Sequence, residues 1–228
     1  MRTLNPNIPR ILSCRQIDQV DAQLAKAYGL DAKRHVSVGL VTCDQDDSLY
    51  AALDHATKFA EVDVVYAKSF YAGSAHASGP FSGEILGVLA APHPDEIKEG
   101  LWALREALNN RFHFVTCADT SGPAFFPTVI AETGRYLAPL AGLQPGEPMA
   151  YLIAPPIEAT VGLDAALKSA NVKLLKFFGP PTETNFAGAY LGGSLADLQA
   201  AAMAFSEAIE AVVTSPLAGL VRPERERR

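Results

Sequence analysis

The stretch LDHATKFAEVDV at residues 53–64 is followed, 110 residues further along the chain, by the similar stretch LDAALKSANVKL at residues 163–174. Six of the twelve positions are identical, and the two stretches align without a gap. In each stretch, apolar residues at helical spacing are followed by a short run of residues that favour a β-strand. Two copies of this pattern indicate that the same structural unit occurs twice in the chain.

Three shorter pairs of segments support a duplication. The pairs keep the same order along the chain, and the spacing within a pair falls from 113 to 101 residues, as expected if the first copy has the longer loops. The pairs are 24–30 with 137–143, 83–87 with 188–192, and 106–108 with 207–209. A repeat of this length is domain-sized and too long for a solenoid unit. We therefore predict a first domain at 10–111, a second domain at 112–216, and a charged, disordered tail at 217–228.

Apolar spacing predicts the same series of elements in each copy: helix, strand, helix, strand, loop, strand and helix. This series is typical of an α+β fold in which the helices of each copy pack on one side of a sheet. The predicted helices are 17–30, 48–60 and 95–108 in the first copy, and 125–143, 163–170 and 195–213 in the second. The predicted strands are 36–42, 62–66 and 83–90 in the first copy, and 149–154, 172–178 and 188–193 in the second.

Composition excludes several classes of protein. Hydrophobic residues make up 49% of the chain, which is enough for a packed core. The net charge of −6 argues against a nucleic-acid partner, because such proteins usually carry a basic face. Apolar runs stay short of the 18–20 residues, roughly, that cross a bilayer, so we expect no membrane association. The three widely spaced cysteines, Cys14, Cys43 and Cys117, predict reduced thiols in a cytoplasmic protein.

The sequence contains no recognised catalytic or cofactor motif, so we predict neither enzymatic activity nor a bound cofactor. The five histidines are scattered. His76, which lies in a loop rich in glycine and serine, is a weak candidate for a metal ligand.

A cluster of acidic residues follows the first predicted central strand. Asp44, Asp46 and Asp47 precede a helix, where carboxylates can cap backbone N–H groups and favour the positive end of the helix dipole. Three acids in four residues also repel one another, so the alternative is a site for Ca²⁺, Mg²⁺ or an organic ammonium ion. Glu84 is a further acid in an otherwise apolar predicted strand, and the aligned residue in the second copy is Ala189. This asymmetry favours a special role for the first copy.

Several longer runs resemble tandem-domain shell proteins of bacterial microcompartments, in particular those of ethanolamine-utilisation compartments. The resemblance covers residues 8–216. The runs that carry it are DDSLY at 46–50, VVYAKSFYAGSAH at 64–76, MAYLIAPPIEAT at 149–160, DAALKSA at 164–170 and PPTETN at 180–185.

The resemblance implies two circularly permuted, ferredoxin-like shell domains and a homotrimer that forms a pseudohexamer. Such trimers tile a cytoplasmic protein shell together with other shell proteins. A gated central pore for metabolites or cofactors would be lined by the loops 67–82 and 179–185. The implied pore residues are Ser69, Phe70, Tyr71, Ala72, Gly73, Pro181, Thr182, Glu183, Thr184 and Asn185.

The resemblance also implies a small-molecule site in the first domain. Its residues are Asp46, Asp47, Glu84 and Phe114, with Phe112 as the alternative aromatic neighbour. Carboxylates pair with a primary ammonium and a ring face can cover a cation, so the implied ligand is a small amine such as ethanolamine. Two alternatives stay open: a regulatory module that binds a small molecule, and a shell protein of a related compartment with another substrate.

Overall fold

The computed structural model describes residues 4–70, 79–117, 122–180, 182 and 185–220. Within these ranges the chain forms ten strands, six α-helices and a short 3-10 turn at Ala218–Leu220. The strands are β1 (Leu4–Asn7), β2 (Ile11–Ile17), β3 (Ser37–Cys43), β4 (Asp63–Ser69), β5 (Ile85–Ala91), β6 (Phe114–Cys117), β7 (Phe126–Ile130), β8 (Met149–Ala154), β9 (Lys173–Phe178) and β10 (Ala187–Gly192). The helices are α1 (Ala22–Ala27), α2 (Asp46–Ala56), α3 (Pro94–Asn110), α4 (Leu137–Ala141), α5 (Pro156–Ser169) and α6 (Leu195–Thr214).

The first four-stranded sheet has the antiparallel order β2-β3-β5-β4. Alternate residues of β3 point to opposite faces, as the pleat of a strand requires. Val41 and Cys43 pack in the core with α2 and α3, whereas Val38 packs in a smaller cluster with Tyr28 and Leu30 on the other face. This sheet therefore has helices on one face and the segment around α1 on the other.

The second four-stranded sheet has the antiparallel order β7-β8-β10-β9, which repeats the order of the first. Helices α5 and α6 pack against each other and against this sheet. The two sheets lie within the two predicted domains, although the boundaries at residues 111 and 216 stay a prediction.

The two halves of the chain share one hydrophobic core. Leu49 and Leu53 of α2 belong to the same buried cluster as Leu137 and Met149 of the second half. Strand β1, near the start of the chain, pairs with β6, which opens the second half. The halves are thus joined both by apolar packing and by backbone hydrogen bonds.

Close packing of helices depends on glycine at two positions. A methyl group on Gly87 in β5 would lie 2.8 Å from the side chain of Leu53, and one on Gly162 in α5 would lie 2.6 Å from the ring of Phe205. Both distances are well inside van der Waals contact, so only glycine permits this approach.

Two predicted helices are wrong in extent. The segment 17–30 contains only the short α1, because Ile17 still pairs with Val38 in the sheet and Asp21 caps the helix by accepting a bond from the Gln23 amide at 2.9 Å. The segment 125–143 holds β7 and then α4, because β7 pairs with β8. Its apolar residues fit a helical spacing, but pairing in the sheet overrides that preference.

No helix in the described ranges is long and apolar enough to cross a bilayer. In the predicted disordered tail, Ala218–Leu220 form the 3-10 turn, and residues 221–228 lie outside the described residues.

Candidate functional site: an acid pair facing aromatic rings

A cavity of about 150 Å³ lies between the two halves of the chain. The first half contributes two carboxylates and one tyrosine from α2, and the second half contributes mostly aromatic and aliphatic side chains. The lining residues are Asp46, Asp47, Tyr50, Tyr136, Leu137, Leu140, Tyr151, Ile153, Phe178, Thr182, Phe186 and Tyr190. The cavity therefore brings two acids of the first half together with several rings of the second.

Helix α2 brings the two carboxylates to the cavity. The helix begins at Asp46, two residues earlier than predicted, so Asp46 and Asp47 both lie in its first turn. Carboxylates are favoured there by the helix dipole. The residue that precedes the helix, Gln45, makes no capping bond with its side chain. The amide of Asp47 donates to Oδ1 of Asp46 at 2.9 Å.

Asp47 is bonded to a residue 104 positions away. The hydroxyl of Tyr151, in the middle of β8, donates to Oδ1 of Asp47 inside the protein. Burial, and then the nearby charge of Asp46, raise the pKa of the Asp47 carboxyl well above its ordinary value, against the opposing effect of the Tyr151 bond. Burial and the charge of Asp47 likewise raise the pKa of Tyr151, which keeps its proton and remains a donor. The acid pair thus takes up a proton more readily than two exposed aspartates.

Asp46 is held by the end of β4. The hydroxyl of Ser69 donates to Oδ2 of Asp46 at 2.8 Å, and the amide of Ser69 donates to the hydroxyl of Tyr50 at 3.0 Å. Ser69 itself is buried. This residue, which the resemblance assigns to a pore loop, therefore bonds directly to the acid pair.

The aromatic side of the cavity is a connected set of rings. The ring centres of Tyr151 and Tyr190 are 4.7 Å apart, and those of Phe178 and Tyr190 are 4.8 Å apart, both with the edge of one ring toward the other. Such edge-to-face pairs are a preferred arrangement. Burial raises the pKa of Tyr190, so this ring stays neutral. Ring faces next to carboxylates suit a small organic cation.

The third aspartate of the acidic cluster lies outside the cavity. Asp44 accepts bonds from the backbone amide of Arg10 at 2.7 Å and from its guanidinium at 2.8 Å. The three acids that the sequence groups together thus separate into Asp44, which is half-buried and paired with the exposed Arg10, and the buried pair Asp46 and Asp47.

The other two predicted site residues lie just behind the cavity wall. Glu84 directly precedes β5 rather than lying within the strand, and its carbonyl accepts bonds from the amide of Phe70 at 2.7 Å and the hydroxyl of Ser69 at 3.4 Å. Phe114 is buried, with its ring centre 5.7 Å from that of Phe186, which lines the cavity. The alternative, Phe112, does not line the cavity and makes an edge-to-face contact with His55 instead, with the ring centres 5.9 Å apart.

The predicted pore residues are only partly within the described ranges. Thr182 lines the cavity, and Asn185 has a positive φ of 62° and donates its amide to the carbonyl of Thr182 at 3.3 Å. The hydroxyl of Thr42 in β3 donates to the carbonyl of Phe81 at 2.6 Å, which holds the end of the first loop. Tyr71, Ala72, Gly73, Pro181, Glu183 and Thr184 lie outside the described residues.

The metal alternative gains no support within the described ranges. No group of three or more His, Cys, Asp or Glu side chains there could hold a metal ion. The weak candidate His76 lies outside the described residues.

Sequence reasoning missed the aromatic side of the cavity. Tyr136, Phe178, Phe186 and Tyr190 belong to four different segments of the second half, so no local motif joins them. Tyr151 did carry a signal, because a hydroxyl in the apolar stretch MAYLIA needs a buried partner. That signal does not identify the partner as Asp47.

Comparison with known proteins gives consistent matches. The chain is 47% identical over 209 residues to the bacterial microcompartment shell protein EutL of Clostridium perfringens, covering 92% of this chain and 96% of that protein. It is 44% identical to EutL of Escherichia coli, covering 92% and 95% of the two chains. No protein-family model matches the chain.

Solved structures agree with these relatives. A crystal structure of EutL from Clostridium perfringens matches with a TM-score of 0.91 at 45% identity, covering 96% of this chain and 99% of that one. EtuB from Clostridium kluyveri shares the fold, with a TM-score of 0.72 at 19% identity over 89% of this chain and 88% of that one. The predicted tandem shell-domain fold is confirmed.

Replacing Asp47 with asparagine should stabilise the protein at neutral and alkaline pH. Asparagine keeps an acceptor for the Tyr151 hydroxyl but removes the cost of ionising a buried acid beside Asp46. The folded protein favours the protonated form of Asp47. The free energy of unfolding of the wild type therefore falls as the pH rises through the raised pKa of this carboxyl. We expect Asp47→Asn to melt at least about 2 °C higher at pH 8, with a gap that closes toward pH 4, roughly the pKa of an exposed Asp.

Thermal melts from pH 4 to pH 8 measure this gap. Asp44→Asn, which removes a half-buried carboxylate that is already paired with Arg10, is the control and should give no pH-dependent gain. A lower melting temperature for Asp47→Asn at pH 8 would show that the charged form of Asp47 supports the fold.

Proposed function

The chain belongs to the EutL family of bacterial microcompartment shell proteins, and from this premise we propose that it is a non-catalytic shell component that assembles as a trimer and binds a small amine between its halves. Its relatives are shell proteins, so it takes its place in the shell together with other shell components. The single observation that carries the proposed amine site is the buried acid pair that faces aromatic rings.

Comparison of the two equivalent helices supports self-assembly. In α2 one face is buried against the second half of the same chain, and its residues include Ala51, Asp54 and Thr57. The residues 110 positions later in α5 are Val161, Asp164 and Leu167, and these are exposed. Ile157, which aligns with Asp47, is 69% exposed. Helix α5 thus presents an apolar face whose counterpart is covered in the first half.

The surface that fits this α5 face is the first half of a second copy. Within one chain the second half would cover α2 of the first half. Between chains the first half of the next copy would cover α5 in the same way. Head-to-tail contacts of this kind close into a ring when the rotation between units allows it. Three chains supply six similar halves, which is a pseudohexamer.

The cavity suits a primary amine of a few heavy atoms. Its volume of about 150 Å³ equals that of roughly five water molecules. A buried ammonium would pair with Asp46 and Asp47, while the faces of Tyr151 and Tyr190 stabilise its charge. Glu84 and Phe114 would support the wall from behind. Ethanolamine, which has one ammonium and one hydroxyl, is the ligand we propose.

The two loops that the resemblance assigns to a central pore belong to the same proposal. Ser69 and Thr182, one in each loop, both lie at the acid pair or its cavity. The remaining loop residues would line a gated opening at the trimer axis for metabolites or cofactors.

Trimer formation is expected to depend on the exposed face of α5. Val161→Asp places a charge in the middle of the proposed contact and should convert the trimer to monomers in sedimentation velocity. Met203→Asp is the matched control, because Met203 in α6 and its repeat counterpart Trp102 in α3 are both exposed. A trimer that survives Val161→Asp, or that Met203→Asp breaks equally, would contradict this interface.

Titration calorimetry with ethanolamine tests the amine site. The wild-type protein should bind one molecule per chain, and Asp46→Asn should weaken binding by at least about tenfold, because a buried ammonium loses a charged partner. Affinity should rise with pH as Asp47 loses its proton, because burial and the charge of Asp46 raise the pKa of this carboxyl. Asp44→Asn, which removes an acid of the same cluster outside the cavity, should bind like the wild type. Absence of wild-type binding would refute the site.

Replacing residues 71–78 with a Gly/Ser linker of equal length should change solute passage while leaving the trimer intact. This replacement spares Ser69, which bonds to Asp46, and Phe81, which bonds to Thr42. Passage of a small dye through assembled shells and sedimentation of the purified variant provide the two measurements. Loss of the trimer would assign the loop to assembly instead.

A further inference from the structure

Asp54 makes an unusual set of contacts between the two halves of the chain. It lies seven residues after Asp47 on α2, about two helical turns further along. Its side chain is fully buried and points away from its own half. A buried carboxylate is costly unless hydrogen bonds satisfy its oxygens, so the partners of Asp54 matter.

Three backbone amides of the second half donate to this carboxylate. The amide of Gly134 donates to Oδ2 at 2.6 Å, and those of Tyr136 and Leu137 donate to Oδ1 at 3.1 Å and 2.7 Å. These amides form the turn that leads into α4. Hydrogen bonds to a charged acceptor are roughly twice as strong as neutral ones, so this turn is held firmly.

The same turn also donates to the segment that follows α2. The guanidinium of Arg135 donates to the carbonyls of Thr57, Ala60 and Val62 between α2 and β4, with 2.9 Å to Val62. The backbone amide of Arg135 donates to the hydroxyl of Thr57 at 2.9 Å. Each half thus satisfies polar groups that the other half leaves unpaired.

The residues of this turn and of α4 are also a wall of the cavity. Tyr136, Leu137 and Leu140 line the cavity together with Asp46 and Asp47. Asp54 therefore connects, through one short turn, the helix that carries the two acids to the helix that carries other residues of the cavity wall.

We propose that Asp54 is a positioning residue for the amine site: by holding the 134–137 turn against α2, it sets the distance between the acid pair and the α4 wall. This role rests on the proposed amine site. It does not require Asp54 to touch the ligand, since Asp54 is not among the residues that line the cavity.

The duplicated sequence supplies an internal comparison. Asp164, the counterpart of Asp54, is exposed and pairs with Lys168 of its own helix at 2.6 Å. Helix α5 therefore forms although its aspartate has no backbone partner among the described residues of the same chain. The three hydrogen bonds that Asp54 accepts from backbone amides therefore hold the two halves together. They are not needed for the formation of the helix that carries this aspartate.

Gly134 provides an independent way to disturb the same turn. A methyl group at this position would lie 2.3 Å from the backbone oxygen of Asp54 and 2.5 Å from Oγ1 of Thr57. Gly134→Ala would therefore push the turn away from α2 while leaving the charge of Asp54 in place.

The test measures ethanolamine affinity for four proteins by titration calorimetry: wild type, Asp54→Asn, Gly134→Ala and Asp164→Asn. Asp54→Asn replaces one acceptor oxygen with a donor, and Gly134→Ala displaces the turn. Both should weaken binding by about tenfold or more when measured well below the melting temperature. Asp164→Asn should bind like the wild type. A merely structural role would lower the melting temperature without changing the affinity of the folded protein.

Hydrogen exchange reports on the turn itself. The amides of Tyr136 and Leu137 should exchange faster in Asp54→Asn and in Gly134→Ala than in the wild type. If either variant fails to fold, Arg135→Gln loosens the same turn from its exposed side and should give a smaller loss of affinity with the same change in exchange.

Three results would overturn the proposal. One is wild-type affinity in the folded variants. Another is weaker binding in Asp54→Asn but not in Gly134→Ala, which would mean that Asp54 acts through its charge rather than through the turn. Absence of binding by the wild-type protein would refute the amine site itself, and this role of Asp54 with it.

Discussion

The contact between the Asp54 carboxylate and the backbone amides of the 134–137 turn is the constraint on which the arrangement of the two halves depends. Apolar packing between the halves is extensive, but apolar contacts have little directionality. A buried carboxylate with three directed partners has a narrow range of allowed positions. The turn that these bonds hold includes Tyr136 and Leu137, two of the residues that line the cavity between the halves.

Duplication produced two similar units, and divergence gave them different surfaces. The same helix pattern is buried in α2 and exposed in α5, with Asp54 and Asp164 as the clearest example. The acid pair of the first half has Pro156 and Ile157 as its counterparts in the second. The acid pair therefore lies where the first half meets the rings of the second, whereas the apolar residues of the equivalent helix α5 are exposed in the single chain.

Much of the fold could be predicted from the sequence because its signals are local. The strands β3, β5, β8 and β10 are short apolar runs, and they lie close to their predicted positions. The segment 125–143 was misjudged because its apolar residues fit both a helix and a strand followed by a turn. Pairing of β7 with β8 decides between them, and that pairing is not a local property.

The sequence by itself determined that the chain is a duplicated α+β protein of the shell-protein type, and it predicted a small-molecule site that includes Asp46 and Asp47. Only the tertiary structure decided that Asp44 turns away to Arg10, that Tyr151 donates to Asp47, and that Asp54 receives three amides of the other half. The physical reason is distance along the chain. Partners separated by 34 to 104 residues come together only in the tertiary structure, and no spacing in the sequence encodes how the sheets dock.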